Sequence, residues 1–254
     1  MNKYCYYNII IPNDISIIGS KNFSSMGFAC GCIGYESNNE YIIEDFTDIK
    51  DYFVKLVSLI KLGYKLLGFN NIGFNNNILA HQLGVISAED YLELPIGGTK
   101  GNTLWKDVDS MWLKWCVDNK AGQYEIAKAI LDYRNNVPIE NKKTVKSIKE
   151  FLNKNSVDLM LLIDEITGEN YSTNLNTVSK LTINKERTYE ISEIVKLYKE
   201  GKIDKIIEYC HNDVKILYNL CKFIDKYNYI IIPLYKKYRK LLNNICLKVE
   251  LNLI

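Results

Sequence analysis

The sequence predicts an α/β fold, in which a sheet and helices pack in layers. Short apolar segments near residues 5–11 and 65–69 have the length of buried strands, whereas the apolar residues of 47–62 recur every three or four positions, as in an amphipathic helix. A longer helical pattern over 202–226 contains no internal Gly or Pro. Strand and helix patterns that alternate along one chain are typical of the α/β class.

Each predicted element follows from the spacing of apolar residues and from the turns between them. The first three strands are expected to form an antiparallel meander, followed by a helix that crosses over to the next strand. The predicted elements are strands at about 5–11, 26–35 and 40–44, a helix at 47–62, a strand at 65–69, a helix at 75–83, a strand at about 157–163, and helices at 190–199 and 202–226.

Two segments lie outside this layer pattern within a predicted single domain of residues 1–254. A largely helical insertion is expected at about 84–155, and a C-terminal extension from about 233. The insertion carries three tryptophans, at 105, 112 and 115, and the spacing of Trp105 and Trp112 favours packing on one helical face over stacking on bases. A lysine-rich helix at its end is expected to be solvated, with phosphate contact as the alternative.

Composition is that of an ordinary globular protein, able to bury a core. The chain has 254 residues, of which 47% are hydrophobic and 24% charged, and its net charge is only +2. No strong overall field therefore attracts nucleic acid, and any such binding depends on a local patch. The candidate patch is Lys236, Lys237, Arg239 and Lys240, which either contacts a nucleic-acid backbone or forms the solvated side of a helix.

The cysteines and the lengths of the apolar segments indicate where in the cell the protein is located. Seven cysteines and two histidines form no zinc signature, and free, buried thiols fit a reducing environment. No apolar segment is long enough for a membrane span or a signal peptide, so we expect no membrane contact. The predicted location is the cytoplasm, a virion or an infected cell, because the abundance of Lys, Ile, Asn and Tyr suggests an AT-rich coding genome such as a viral one.

The most informative spacing lies in the last predicted helix, where Tyr209 and Asp213 are four residues apart. Both side chains therefore lie on one helical face. A carboxylate can hold a divalent cation and a phenol can orient a water molecule beside it, as phosphodiester hydrolysis requires. Taken alone, however, this pair is more typical of an ordinary amphipathic helix than of a catalytic site.

Two upstream segments add to this pair: a buried strand that ends near Pro12, and the run Gly68-Phe69-Asn70 ahead of a helix. Together the three segments resemble the exonuclease motifs of the DnaQ-like superfamily, in its tyrosine-bearing (DEDDy) branch of 3′–5′ exonucleases. The resemblance covers roughly residues 5–83 and 156–232. It implies a ribonuclease H-like three-layer fold with a five-stranded mixed sheet flanked by helices, DNA or RNA as the partner, and Mg²⁺ or Mn²⁺ as the cofactor of an active enzyme.

The motifs match this family unevenly. Tyr209 and Asp213 supply the third motif in full, and Asn70, which falls on the second motif, is a candidate nucleic-acid-binding residue. In the second motif Asn75 stands where the family has a metal-binding aspartate. The first motif falls best on Asp14 to Ser16, which places a serine at the position of the family's glutamate.

These replacements remove half of the carboxylates that the family uses to hold two cations. Asp14 and Asp213 are left, and they are expected to hold at most one ion weakly, because amide and hydroxyl oxygens do not offset the repulsion between two cations. The sequence therefore predicts a degenerate exonuclease-like protein that binds nucleic acid or another protein. Two alternatives stay open: an active exonuclease in which Tyr209 positions the attacking water, and an architectural subunit of a viral replication or transcription assembly.

Overall fold

The computed structural model describes residues 3–85, 141–167, 173–189, 191–235 and 241–251. Residues 86–140 of the predicted insertion, with its three tryptophans, and the basic residues Lys236, Lys237, Arg239 and Lys240 lie outside these ranges. The chain divides into two compact units. One comprises Met1–Leu83 with Lys143–Ile254, and the other comprises Gly84–Lys142, within which the Asn141 N–H donates to the Gly84 carbonyl at 2.8 Å.

A five-stranded mixed sheet forms the centre of the first unit. Its strands are β1 (Lys3–Ile10), β2 (Cys30–Ser37), β3 (Glu40–Phe46), β4 (Tyr64–Gly68) and β5 (Ser156–Asp158). They lie in the order β3-β2-β1-β4-β5, with β1–β2 and β2–β3 antiparallel and β1–β4 and β4–β5 parallel. This arrangement confirms the predicted α/β class and the five-stranded mixed sheet.

Helices cover both faces of the sheet, and a separate hairpin follows the longest of them. The helices are α1 (Ile15–Ile18), α2 (Ile49–Lys61), α3 (Asn76–Gly84), α4 (Lys142–Lys154), α5 (Leu159–Thr167), α6 (Leu175–Ile183), α7 (Ile191–Lys199) and α8 (Ile203–Tyr227). The hairpin strands β6 (Tyr229–Tyr235) and β7 (Leu241–Glu250) pair antiparallel. Among the described residues, no helix combines the length and the apolar character needed to cross a membrane.

The side chains of β1 point alternately into two apolar cores, one on each face of the sheet. Tyr6 and Ile10 belong to the core that α5 to α8 cover, whereas Cys5 and Tyr7 belong to the core beneath α2, α3 and α4. Successive strand side chains point to opposite faces, so Asn8 shares the face of Tyr6 and Ile10. A polar side chain on β1 is thereby directed toward α8.

The structure corrects the strand predicted at about 157–163. Pairing with β4 ends at Asp158, and the apolar residues that follow form α5. The Asp158 carboxylate accepts a hydrogen bond from the Met160 N–H at 3.0 Å, as a helix-capping residue does. Periodicity alone does not distinguish a short apolar strand from a short buried helix. Here the Asp158 cap favours the helix.

The residues that follow the basic segment form a strand, where one alternative from the sequence expected a helix. Residues 241–250 form strand β7, and Tyr235 pairs with Leu241 across the hairpin. The hairpin is joined to α6 at Thr182, whose hydroxyl accepts from the Ile231 N–H at 2.9 Å. Helix α6 itself lies in a stretch for which the sequence predicted no element.

Candidate functional site

A cavity of about 630 Å³ lies where β1 and β4 end, against α8. The carboxyl ends of parallel strands are a common location for ligand sites in α/β folds. Six of the residues singled out from the sequence line this cavity: Asp14, Ser16, Asn70, Asn75, Tyr209 and Asp213. Positions far apart in the chain are thus brought to one place.

Helix α8 supplies Tyr209 and Asp213 to the cavity. Because these residues are one helical turn apart, they face the sheet together, and only 2% and 1% of their respective surfaces are exposed. Neighbouring residues of α8, such as Val214 and Leu217, pack in the same core. Core packing of α8 therefore fixes where the phenol and the carboxylate lie.

Arg187 holds the Asp213 carboxylate from the loop between α6 and α7. Its Nε donates to Asp213 Oδ1 at 2.8 Å, and its Nη2 donates to Oδ2 at 2.8 Å. Such a two-point pairing is the strongest geometry that an arginine and a carboxylate adopt. The guanidinium carbon also lies 5.7 Å from the centre of the Tyr209 ring. A fixed cation of the protein thus occupies one side of Asp213.

Amide side chains extend this pairing across β1 to the turn after β4. Asn8 Nδ2 donates to Asp213 Oδ2 at 2.9 Å, and Asn75 Nδ2 donates to Asn8 Oδ1 at 3.4 Å. Asn75, Asn8, Asp213 and Arg187 therefore form one connected polar chain across the floor of the cavity. It contains a single carboxylate.

Burial dominates the electrostatics of Asp213. Removal from water raises the pKa of this carboxyl to about 6, even though Arg187 and the Asn8 hydrogen bond both act to lower it. The guanidinium is less buried, with 20% of its side chain exposed. The free-energy cost of desolvating the carboxylate thus exceeds the stabilisation that Arg187 and Asn8 give to its charged form.

Asp14 and Ser16 line the cavity beyond the end of β1. Asp14 caps α1: its Oδ1 accepts from the Ser16 N–H at 2.8 Å and from the Ser16 hydroxyl at 2.7 Å. These two bonds lower the pKa of the Asp14 carboxyl. The Asp14 carboxylate is thus used locally, and the side chain hydrogen-bonded to Asp213 from this part of the chain is Asn8.

The turn that carries Asn70 and Asn75 is held by a buried carboxylate. Asp158 accepts from the Asn70 N–H at 2.8 Å and from the Ile72 N–H at 2.9 Å. Asn70 adopts a left-handed backbone conformation with φ of 59°, which asparagine tolerates better than most residues. This clamp places Asn75 beside Asn8.

The donor set does not fit a pair of divalent cations. Both oxygens of Asp213 are engaged by Arg187, and the neighbouring groups are the amides of Asn8 and Asn75. Mg²⁺ and Mn²⁺ are held mainly by carboxylates and retained water. Across the described residues, no group of three or more His, Cys, Asp and Glu side chains is placed to hold a metal.

Sequence reasoning did not single out Asn8, Arg187 or Thr173. A signal existed for Asn8, which is the only polar residue in an otherwise apolar or aromatic stretch at residues 4–11 apart from Cys5. Arg187 is one of three arginines in a lysine-rich chain. No local pattern marks Thr173, which lines the same cavity.

Comparison with known proteins gives no further assignment. No family model matches the chain, and no curated protein matches it. The resemblance to DnaQ-like exonucleases therefore stays a prediction that rests on the quoted motifs.

Proposed function

We propose that this protein is a degenerate relative of the DEDDy exonucleases, which binds nucleic acid in the cavity without hydrolysing it. The observation that carries the proposal is the Arg187–Asp213 pair, in which a guanidinium engages both oxygens of Asp213, one of the two carboxylates that are left. A side chain of the protein thereby neutralises the charge that would otherwise attract a cation. Binding requires the cavity, whereas hydrolysis by the family's chemistry requires the cations.

The lining of the cavity suits a nucleotide better than it suits a pair of divalent cations. Phe69, Phe74 and Tyr209 provide aromatic surface on which a base can pack, and Asn70 and Asn75 carry amides that can pair with base edges. The overall charge of +2 is too small to drive binding alone. Contacts within the cavity would therefore supply much of the affinity.

The first test is a degradation assay with 5′-labelled single-stranded DNA and RNA in Mg²⁺ and in Mn²⁺. We expect both strands to stay intact. Degradation that Asp213→Ala abolishes would overturn the proposal and support the active-enzyme alternative. Tyr209→Phe would then report whether the phenol takes part.

The second test measures binding of the same strands by fluorescence anisotropy in EDTA. We expect measurable affinity that Val195→Trp weakens by about tenfold or more, because this residue lines the cavity and the larger side chain fills it. Val54→Trp is the matched control, since Val54 is 64% exposed on α2 and does not line the cavity. Absence of binding, or equal loss in both variants, would favour the architectural alternative.

A further inference from the structure

The N-terminal end of α6 opens onto the cavity through Thr173, Asn174 and Leu175. Asn174 caps the helix, and its Oδ1 accepts from the Thr177 N–H at 2.9 Å. The loop that carries Arg187 is fastened to the same turn, because the Arg187 backbone N–H donates to Asn176 Oδ1 at 2.8 Å. The helix N-terminus, with its partial positive charge, and Arg187 thus line the same cavity.

Thr173 provides an independent sign of a ligand at this end. Its residue surface is only 6% exposed, and its hydroxyl oxygen is fully buried with no hydrogen-bond partner among the described residues. A buried hydroxyl without a partner costs free energy, so nearly all such groups in proteins are paired. A ligand atom in the cavity would supply the missing partner once the Thr173 side chain rotates so that its hydroxyl faces the cavity.

The rest of the wall indicates the chemistry of that ligand. Ile10, Phe69, Ile194 and Leu217 give the cavity a largely apolar surface away from the polar floor. The volume of about 630 Å³ lies inside the range of roughly 300–1,000 Å³ that small-ligand sites occupy. Such a site suits a molecule with one anionic end and a flat, weakly polar body.

We infer that the cavity recognises a terminal phosphate monoester, bound at the N-terminus of α6 by Thr173 and Arg187, with the attached nucleoside against the apolar wall. This inference rests on the proposed function and narrows it to phosphate-ended nucleotides. Helix N-termini and arginine are both recurrent phosphate-binding elements. Two kinds of ligand carry such a phosphate monoester: the phosphorylated end of a nucleic-acid strand and a free mononucleotide.

The experiment compares equilibrium binding of one short oligonucleotide with different ends. The probes are the strand with a 3′-phosphate, with a 5′-phosphate and with hydroxyls at both ends, together with free adenosine monophosphate, all in EDTA at matched ionic strength. We expect one phosphate-ended strand to bind about tenfold or more tightly than the hydroxyl-ended strand, as a charge-assisted hydrogen bond supplies. Inorganic phosphate should displace that strand and leave the hydroxyl-ended strand bound.

Thr173→Val tests the hydroxyl with almost no change of shape. We expect this variant to lose the preference for the phosphate end while it keeps its affinity for the hydroxyl-ended strand. Thr177→Val is the matched control on the same helix, because Thr177 does not line the cavity. The competition by inorganic phosphate uses the unaltered protein and decides the matter even where Thr173→Val fails to fold.

The outcomes separate this inference from the proposed function. Equal affinity for all strand ends overturns the phosphate inference and leaves nucleic-acid binding in place. Binding of the mononucleotide alone supports the phosphate site and contradicts strand binding. Absence of binding by every probe contradicts both, and an unchanged preference in Thr173→Val removes Thr173 from the site.

Discussion

At the scale of single residues, Asp213 decides what the cavity can do. Its carboxylate is almost completely buried, and within the described part of the chain Arg187 and Asn8 hydrogen-bond to it. Removal of one partner of a buried ion pair usually lowers protein stability strongly, because the other charge then stays buried without a partner. Here the raised pKa of Asp213 means that the carboxyl can instead take up a proton at mildly acidic pH.

This raised pKa predicts an unusual dependence of stability on pH. The pKa of Asp213 rises from 3.8 to about 6 on folding, so the folded state holds the proton more tightly than the unfolded state does. The stabilising contribution is present below pH 3.8 and is lost as the pH rises through about 6. Relative to Asp213→Asn, the unaltered protein should lose about 2 kcal/mol of unfolding free energy between about pH 4 and about pH 7.5.

Urea unfolding at the two pH values measures this change. Asp204→Asn is the control, because Asp204 is an exposed acid on the same helix. A stability difference between the unaltered protein and Asp213→Asn that stays constant, or that moves the other way with pH, would show that Arg187 outweighs the cost of burial.

At the scale of elements, the boundary between β5 and α5 controls the cavity wall. Asp158 ends a three-residue strand, accepts from the Met160 N–H at the start of α5, and holds the turn after β4 through the N–H groups of Asn70 and Ile72. Burial nevertheless raises the pKa of its carboxyl, because desolvation outweighs these hydrogen bonds. One side chain therefore couples three segments.

Replacement of Asp158 tests that coupling. Asp158→Asn keeps the shape but presents an NH₂ group to one of the N–H donors, so we expect a loss of about 2 kcal/mol in unfolding free energy. Hydrogen exchange at Asn70 and Ile72 should also accelerate. Glu165→Gln, at an exposed position of α5, should change neither quantity. Unchanged exchange at both amides would contradict a clamp role for Asp158.

At the scale of the whole molecule, α8 lies directly on the sheet where β2 has a glycine. A Cβ built on Gly34 would lie 2.7 Å from Val214 Cγ1 and would also collide with the Tyr41 hydroxyl. Val214 follows Asp213 in α8, so the close approach of helix and sheet sets the distance between Asp213 and Asn8. The position of the site thus depends on packing in the core that α8 shares with β1 and β2.

Gly34→Ala should therefore affect stability and the site together. We expect a loss of about 1–3 kcal/mol from overpacking, with weaker oligonucleotide binding because α8 must move away from β1. Urea unfolding and anisotropy measure the two effects. Val54→Ala, on the exposed face of α2, serves as the control. Full affinity in a destabilised Gly34→Ala variant would show that the cavity tolerates displacement of α8.

The sequence alone determined the elements whose patterns are local. Periodicity gave the first strands, α2 and the long helix α8, and the four-residue spacing placed Tyr209 and Asp213 on one face. The replacement of the motif's aspartate by Asn75 could also be recognised from the sequence, because aligning a motif needs only neighbouring residues. These features depend on contacts within a few positions along the chain.

Only the tertiary structure decided what surrounds Asp213. Asn8 reaches it from 205 positions away, and Arg187 from 26 positions away in an irregular loop. The unpartnered hydroxyl of Thr173 and the strand β7 likewise leave no local signal. Periodicity records which face of an element is buried, but it carries no information on which distant side chain lies opposite, because packing of separate elements sets that pairing.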